Sequence, residues 1–196
     1  MSDPETTVDA VHRRSPSGLG PTVWIIIPVA VTMALLLLLL ATGDPAVDRA
    51  ERSPLVGRLT PEISGTTTTG EAFDIDAERG RWVVVNFFST TCIPCVNEHP
   101  ELVAFQEGHS SAADATIVSV AFDDSAANVV DFFAEYGGDW PVLAADTGGI
   151  AVRYGVTGVP ESYIVAPSGV VAQKRIGGVT ADDLDAVIDA LEEAAT

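Results

Sequence analysis

The stretch that decides the fold is Trp82-Val83-Val84-Val85-Asn86-Phe87-Phe88-Ser89-Thr90-Thr91-Cys92-Ile93-Pro94-Cys95. Its first half, 82–88, is short, rich in β-branched and aromatic residues and apolar on both faces, which predicts a buried strand. Residues 89–91 make a turn, and a helix-like run follows over 96–106. The two cysteines therefore lie at a helix start, where free backbone N–H groups and the helix dipole stabilise a thiolate, the reactive form of cysteine.

The chain has 196 residues and only these two cysteines. Besides redox chemistry, the pair could serve as zinc ligands or as a structural disulfide. A structural zinc site needs four ligands, and only His99 and His109 could complete the set, with a spacing that matches no zinc finger. A passive structural disulfide is disfavoured too, because a four-residue loop constrains the unfolded chain very little. A strand, a turn and a CxxC pair at a helix start together favour redox chemistry.

The residues around the pair resemble the active-site segment of thioredoxin-fold proteins of the TlpA, ResA and CcmG (DsbE) family. Glu98 extends the motif to CxxCxxE, and Pro100 stands where thioredoxins carry a helix-kinking proline. Residues 154–161 read Tyr-Gly-Val-Thr-Gly-Val-Pro-Glu and resemble the GVxGxPE segment of the same family, whose proline is cis and faces the disulfide. The resemblance covers roughly residues 54–196. It implies an α/β thioredoxin fold, a mixed central sheet flanked by helices, with an N-terminal β-hairpin extension.

Two positions depart from the family pattern. Thr91 replaces the tryptophan that usually precedes the first cysteine, which bears on partner contact and redox potential but removes no proton carrier. Asn86 stands where thioredoxin itself has a buried aspartate. The membrane-anchored branch of the family often lacks that aspartate as well, so Asn86 favours this branch over a general cytosolic thioredoxin.

The resemblance implies catalytic roles for four residues. Cys92, expected to be exposed, attacks a partner's disulfide, and the buried Cys95 resolves the mixed disulfide, so the Cys92–Cys95 disulfide is redox-active and needs no other cofactor. The proton of Cys95 needs an acceptor, and the family pattern places Glu98 and Glu161 near the disulfide. The alternative is that both are ordinary surface acids. His99 could also help.

Other residues are expected to contact the partner protein. The backbone of Val159 would pair with an extended partner segment as an added strand. The resemblance predicts a cis peptide bond at Pro160, and Thr91, Ile93 and Pro94 border the disulfide, where the last two tune its redox poise.

Strand and helix patterns elsewhere follow the thioredoxin order of elements. Before the second half of the domain, we expect a β-hairpin from Ile63 and 72–75 across a turn at 66–70, and a strand at 116–121. A helix capped by Asp123-Asp124-Ser125 should follow, with Val129, Val130, Phe132, Phe133 and Tyr136 toward the core. We then expect a short strand at 140–145, a short helix at 148–154, a hairpin of 161–165 and 170–176, and a C-terminal helix that begins with a Thr180–Asp183 capping box.

The N-terminal region has the pattern of a membrane anchor. Residues 1–21 are polar and rich in Ser, Pro and Thr, which predicts a disordered tail. Residues 22–41 carry no charge and are long enough to cross a bilayer, which predicts one transmembrane helix. The alternative is a cleaved signal peptide with a small-residue site at 41–43. Residues 42–54 then form a linker to a thioredoxin-like domain at 55–196.

A redox CxxC on a membrane anchor most often serves the oxidising side of the membrane, so we expect the domain outside the cytoplasm. The net charge of −18 disfavours nucleic acid and anionic lipid surfaces as partners, although the anchor itself contacts membrane lipid.

The sequence therefore predicts an extracytoplasmic, membrane-anchored thiol–disulfide oxidoreductase that reduces partner proteins and draws electrons from an upstream membrane donor. Apocytochrome c, which carries a C-x-x-C-H haem site, is a candidate partner. A peroxiredoxin-like peroxidase is one alternative, but that family's motif needs a proline at Val85 and a threonine at Ser89. A copper chaperone using Cys92, Cys95 and a histidine is the other, although copper carriers of this fold use CxxxC.

Overall fold

A computed structural model describes residues 26–29, 31–34 and 53–195. The chain divides into two units, Met1–Asp44 and Pro45–Thr196, which are described separately. In the first unit, residues 26–29 and 31–34 are helical and exposed. Among the described residues, none of the helices combines the length and the apolar character that crossing a membrane requires. The predicted tail 1–21, most of the predicted span 22–41 and most of the linker 42–54 lie outside the described residues.

The second unit alternates strands and helices in the predicted order. Its elements within 53–195 are β1 (Ser64–Thr66), β2 (Ala72–Asp74), a 3-10 helix (Ile75–Glu78), β3 (Trp82–Phe88), α1 (Ile93–His109), β4 (Ala115–Ala121), α2 (Ala126–Tyr136), β5 (Val142–Leu143), α3 (Gly148–Tyr154), β6 (Glu161–Val165), β7 (Val171–Ile176) and α4 (Ala181–Ala195).

The five-stranded sheet has the order β5-β4-β3-β6-β7, and β1 pairs with β2 in a separate hairpin. Strands β3, β4 and β5 run parallel, whereas β6 and β7 join antiparallel. This is the mixed sheet, with parallel strands first and a hairpin last, that the sequence predicts, and the thioredoxin-like α/β fold is confirmed.

Helices or the small hairpin cover both faces of the central strands, which explains why β3 and β4 are apolar throughout. On one face, Val84 and Ile117 belong to a core that includes residues of α1 and α4. On the other face, Phe87 packs against Tyr154 of α3, with ring centroids 5.1 Å apart. A fully buried side chain of this size stabilises the fold by about 1.5–3 kcal/mol, so β3 is held rigidly in the centre of the sheet.

Several predicted boundaries shift in the structure. Helix α1 begins at Ile93 and not at 96, because Cys92 is itself the N-cap. The cap of α2 is Ser125 alone, whose hydroxyl accepts a hydrogen bond from the Asn128 amide at 3.2 Å. Strand β5 contains only two residues, fewer than the predicted 140–145.

Two further local predictions have different outcomes. On α2, Val130 and Tyr136 are about half exposed and do not face the core as predicted. The Thr180–Asp183 capping box is confirmed, since each side chain accepts a hydrogen bond from the other residue's backbone amide, at 3.1 Å and 3.2 Å.

Candidate active site

The disulfide lies where β3 delivers the chain to α1. Cys92 and Cys95 form a disulfide bond, with Cys92 half-buried and Cys95 buried. The backbone amide of Cys95 donates a hydrogen bond to Cys92 Sγ at 3.3 Å. This donor is one of the free N–H groups of the helix start, so a negative charge that develops on Cys92 is stabilised there.

A second segment, 157–160, lies against the same sulfur. The Val159–Pro160 peptide bond is cis, and the carbonyl oxygen of Val159 is 3.5 Å from Cys92 Sγ. The Gly177 amide donates to the carbonyl of Pro160 at 2.9 Å, which ties this loop to the end of β7. The structure thus brings together the two sequence motifs that carried the resemblance.

The rim of the disulfide is open to a partner. Thr91 and Pro94 are exposed, and Ile93 is 74% exposed although it is a large apolar residue. The three residues that the sequence places around the disulfide are therefore all exposed.

Glu98 is buried one helical turn after Cys95, on the same face of α1. Its Oε1 accepts a hydrogen bond from Asn86 Nδ2 at 3.0 Å, and its Oε2 accepts one from the Val179 amide at 3.1 Å. Burial raises the pKa of Glu98 to about 7, against the lowering effect of these two hydrogen bonds. Both protonation states of this carboxyl are therefore populated at neutral pH, as proton exchange with Cys95 requires.

Asn86 gains a definite structural function from these contacts. Besides its bond to Glu98, its amide nitrogen lies 3.2 Å from Ser162 Oγ on the neighbouring strand β6. Asn86 therefore fixes the orientation of the buried Glu98 carboxyl relative to the central sheet.

Glu161 is also buried, in a different environment. Its Oε1 accepts hydrogen bonds from the backbone amide and the hydroxyl of Thr157, at 3.2 Å and 3.1 Å. The ammonium of Lys174, itself buried, lies 2.9 Å from its Oε2. The alternative that Glu98 and Glu161 are ordinary surface acids is therefore wrong for both.

His99 is a structural residue in this arrangement. Its Nε2 lies 2.9 Å from the Gly137 carbonyl oxygen. Its ring packs among four aromatic side chains, Phe132, Phe133, Tyr136 and Trp140. Burial lowers the pKa of His99, with the bond to Gly137 opposing that shift, so the ring is neutral at neutral pH and donates to the carbonyl.

Cys92, Cys95, His99 and His109, the four candidate zinc ligands, do not come together as a set. His109 lies between two carboxylates, Asp114 at 2.8 Å and Asp185 at 2.9 Å. Within the described part of the chain, there is no group of three or more His, Cys, Asp or Glu residues arranged to hold a metal ion.

Asp124 is a site residue that the sequence analysis placed only as a helix cap. Its Oδ2 accepts hydrogen bonds from the Thr90 amide at 2.7 Å, the Thr90 hydroxyl at 2.6 Å and the Ser89 hydroxyl at 3.1 Å. Partial burial alone would raise the pKa of Asp124, but its hydrogen bonds outweigh burial and lower it to about 2. The aspartate therefore stays ionised and holds the turn that leads to Cys92.

Topology is the signal that could have revealed Asp124. Strands β3 and β4 are parallel and in register, with Phe88 opposite Ala121. The residues just beyond them, the turn 89–91 and Asp124, must therefore meet at the same edge of the sheet. A cleft of about 650 Å³ opens beside this edge, and its charged lining residues are Asp123, Asp124 and Asp146.

Comparison with known proteins gives a consistent family match. The family model described as Redoxin matches residues 55–188. The thiol:disulfide interchange protein HelX of Rhodobacter capsulatus is 31% identical over 152 residues, which cover 76% of this chain and 82% of HelX. The thiol:disulfide interchange protein CycY of Rhizobium leguminosarum bv. viciae is 33% identical over 121 residues. That match covers 60% of this chain and 62% of CycY, less than two thirds of the relative's length.

A solved structure agrees with these sequence matches. The crystal structure of a thiol:disulfide interchange protein of the thioredoxin family from Chlorobium tepidum TLS aligns with a TM-score of 0.62 and 30% identity. The alignment covers 67% of this chain and 93% of that chain.

Glu98→Gln is expected to slow resolution of a mixed disulfide by about 10²-fold near pH 7, because the amide cannot accept the proton of Cys95. The rate of disulfide reduction by the native chain should rise as pH passes through about 7 with deprotonation of Glu98, and the variant should lack this rise. The measurement is the rate of disulfide reduction between pH 5 and 9, with the alkylation rate of Cys92 as a check on its acidity.

Glu107→Gln, an exposed change on the same helix, is the matched control and should behave as the native chain.

The pH dependence of stability gives an independent readout. Because the folded state binds the Glu98 proton more tightly than the unfolded state does, the native free energy of unfolding should fall as pH rises from about 4.5 to about 7, and Glu98→Gln should remove this slope. Identical pH profiles for the native chain and Glu98→Gln would contradict the role of Glu98.

Proposed function

Because the chain belongs to the Redoxin family and is a thiol–disulfide oxidoreductase with a thioredoxin-like fold, we propose that it reduces disulfides of partner proteins outside the cytoplasm through the Cys92–Cys95 pair. The observation that supports this proposal most strongly is the position of Cys92. Its sulfur caps α1 and lies beside the cis-proline loop, while Cys95 is buried behind it. One sulfur is therefore accessible to a partner, and the other can be reached only from inside the protein.

In the proposed cycle the reduced chain is the electron donor. The Cys92 thiolate attacks one sulfur of the partner's disulfide, forms a mixed disulfide and releases one partner thiolate. Cys95 then passes its proton to Glu98, attacks Cys92 Sγ and releases the second partner thiolate. The partner gains two electrons, the chain forms the Cys92–Cys95 disulfide, and each released thiolate takes up a proton from solvent.

The electrostatics of the site support the direction of transfer. Glu98 is buried behind the pair and Asp124 stays ionised beside the turn that leads to Cys92. Negative charge near a thiol disfavours its thiolate, so these carboxyl groups oppose the stabilisation that the Cys95 amide gives to Cys92. A reduced form that is less stabilised is a stronger reductant, in contrast to strong oxidants of this fold, whose reduced form is stabilised.

For the partner we propose proteins that carry a C-x-x-C-H disulfide, such as apocytochromes c during cytochrome c maturation. The net charge of −18 and the cleft lined by Asp123, Asp124 and Asp146, of which Asp124 holds the turn that leads to Cys92, favour a partner with basic residues near its cysteines. An upstream membrane donor would restore the Cys92–Cys95 dithiol after each turnover.

No observation favours the two alternatives. Val85, where the peroxiredoxin motif has its proline, is fully buried within β3. His99, a candidate third copper ligand, is bonded to the Gly137 carbonyl within an aromatic cluster.

We further propose that residues 22–41 anchor the chain in the membrane, with the redox domain on the extracytoplasmic side. The support is the uncharged 20-residue run, together with a redox pair that suits an oxidising compartment.

Cys95→Ser should trap a stable mixed disulfide between Cys92 and the partner, because attack proceeds and resolution cannot. Cys92→Ser should trap little, since the remaining thiol is buried. Non-reducing electrophoresis followed by mass spectrometry of the adduct measures both variants. Equal trapping by the two variants would mean that the assigned roles of the cysteines are wrong.

Topology can be read with a single reporter cysteine. Ala46→Cys, in a chain with both native cysteines changed to serine, should react with a membrane-impermeant maleimide in intact cells. Ser17→Cys, in the N-terminal tail, is the matched control and should react only after lysis. The opposite pattern would reverse the orientation, and release of the domain into the medium would support the signal peptide instead.

A further inference from the structure

A buried ion pair lies behind the cis-proline loop, and the proposed cycle makes no use of it. Lys174 on β7 is 5% exposed and Glu161 on β6 is 1% exposed, with 2.9 Å between Nζ and Oε2. The ammonium also lies 5.3 Å from the centroid of the Tyr163 ring. Lysine and glutamate are almost never fully buried unless they are paired. Keeping this pair out of water carries a desolvation cost, so the buried ion pair calls for a functional explanation.

The contacts of Glu161 lead directly to the active site. While Oε2 faces Lys174, Oε1 accepts two hydrogen bonds from Thr157, one from its amide and one from its hydroxyl. Thr157 begins the loop whose Val159 carbonyl lies 3.5 Å from Cys92 Sγ. A continuous set of contacts therefore joins Lys174 to the loop that faces the disulfide.

We propose that Lys174 and Glu161 are positioning residues that hold loop 157–160 in the conformation that receives an extended partner segment. The inference rests on the proposed function and changes the role that the sequence assigned to Glu161. One carboxylate oxygen of Glu161 already accepts hydrogen bonds from Thr157, and the other is paired with Lys174. Glu161 therefore orders the loop. Glu98 is the acid that exchanges a proton with Cys95.

Removing one partner of a buried pair is far more damaging than replacing both. In Lys174→Met, the buried carboxylate of Glu161 loses its counter-charge. A carboxylate left without its cation moves toward solvent and releases the hydrogen bonds from Thr157 that hold the loop. Partner binding by this variant should therefore weaken.

The ammonium of Lys174 is charged in the native chain. Burial lowers the pKa of Lys174, but its contacts with Glu161 and Tyr163 outweigh burial and raise it. Lys174 can therefore hold the Glu161 carboxylate in place.

The experiment uses the full chain, reduced and freed of reductant, with two disulfides as probes: a peptide containing an oxidised C-x-x-C-H site, and glutathione disulfide. For Lys174→Met at pH 8, the half-saturating peptide concentration should rise about tenfold, as expected if the loop is in the competent conformation only about a tenth of the time. The limiting rate and the reduction of glutathione disulfide, which offers no extended segment to the loop, should not change.

Two companion variants make the test specific. Lys174→Arg keeps the cation and should behave as the native chain. The double variant Glu161→Gln/Lys174→Met should bind the peptide better than Lys174→Met alone, because its neutral amide can still accept the hydrogen bonds from Thr157. If Lys174→Met does not fold, Thr157→Val provides the test, since it removes one of the two hydrogen bonds from Thr157 to Glu161 and leaves the ion pair intact. Thr157→Val should raise the half-saturating peptide concentration, whereas Thr157→Ser, which keeps the hydroxyl, should not.

The inference is overturned if Lys174→Met, or Thr157→Val in its place, leaves peptide saturation unchanged or impairs both probes equally. Failure of the proposed function looks different, because the native chain would then reduce neither probe.

Discussion

The position of one sulfur atom organises this site. Cys92 Sγ accepts a hydrogen bond from the first turn of α1 and lies beside the carbonyl of Val159. Both contacts depend on β3, which is buried at the centre of the sheet and leads directly to the helix start. Strand β3 also pairs with β6, the strand that follows the cis-proline loop. The buried core thus sets the distance between the Cys92 turn and the cis-proline loop.

Behind the sulfurs, the structure separates two buried acids by their partners. Glu98 has only neutral hydrogen-bond donors, the Asn86 amide and the Val179 N–H, so burial dominates and raises its pKa to about 7. Glu161 has an ammonium group 2.9 Å away and stays paired. One acid is therefore suited to exchange a proton and the other to hold a loop, although the sequence offers no reason to treat them differently.

Periodicity and turn residues were enough to predict the order of the elements, because the strands are continuous apolar runs and the caps and turns lie where their residue types favour them. The two motifs, through family resemblance, also predicted the cysteine pair and the cis bond at Pro160. What the sequence could not predict depends on tertiary contacts. Asp124 lies 34 residues from Thr90 and meets it only because β3 and β4 are parallel and in register. Lys174 resembles any other charged residue of an edge strand until β6 brings Glu161 beside it.

The Cys92–Cys95 pair lies near a buried carboxyl and an ionised aspartate, and the proposed use of the pair is to reduce partner disulfides. Equilibrating the full chain with glutathione or dithiothreitol buffers and quantifying the Cys92–Cys95 disulfide at each ratio gives its reduction potential directly. A reductant should have a value near that of thioredoxin, about −270 mV. A value near −120 mV, typical of a strong oxidant of this fold, would contradict this use of the pair.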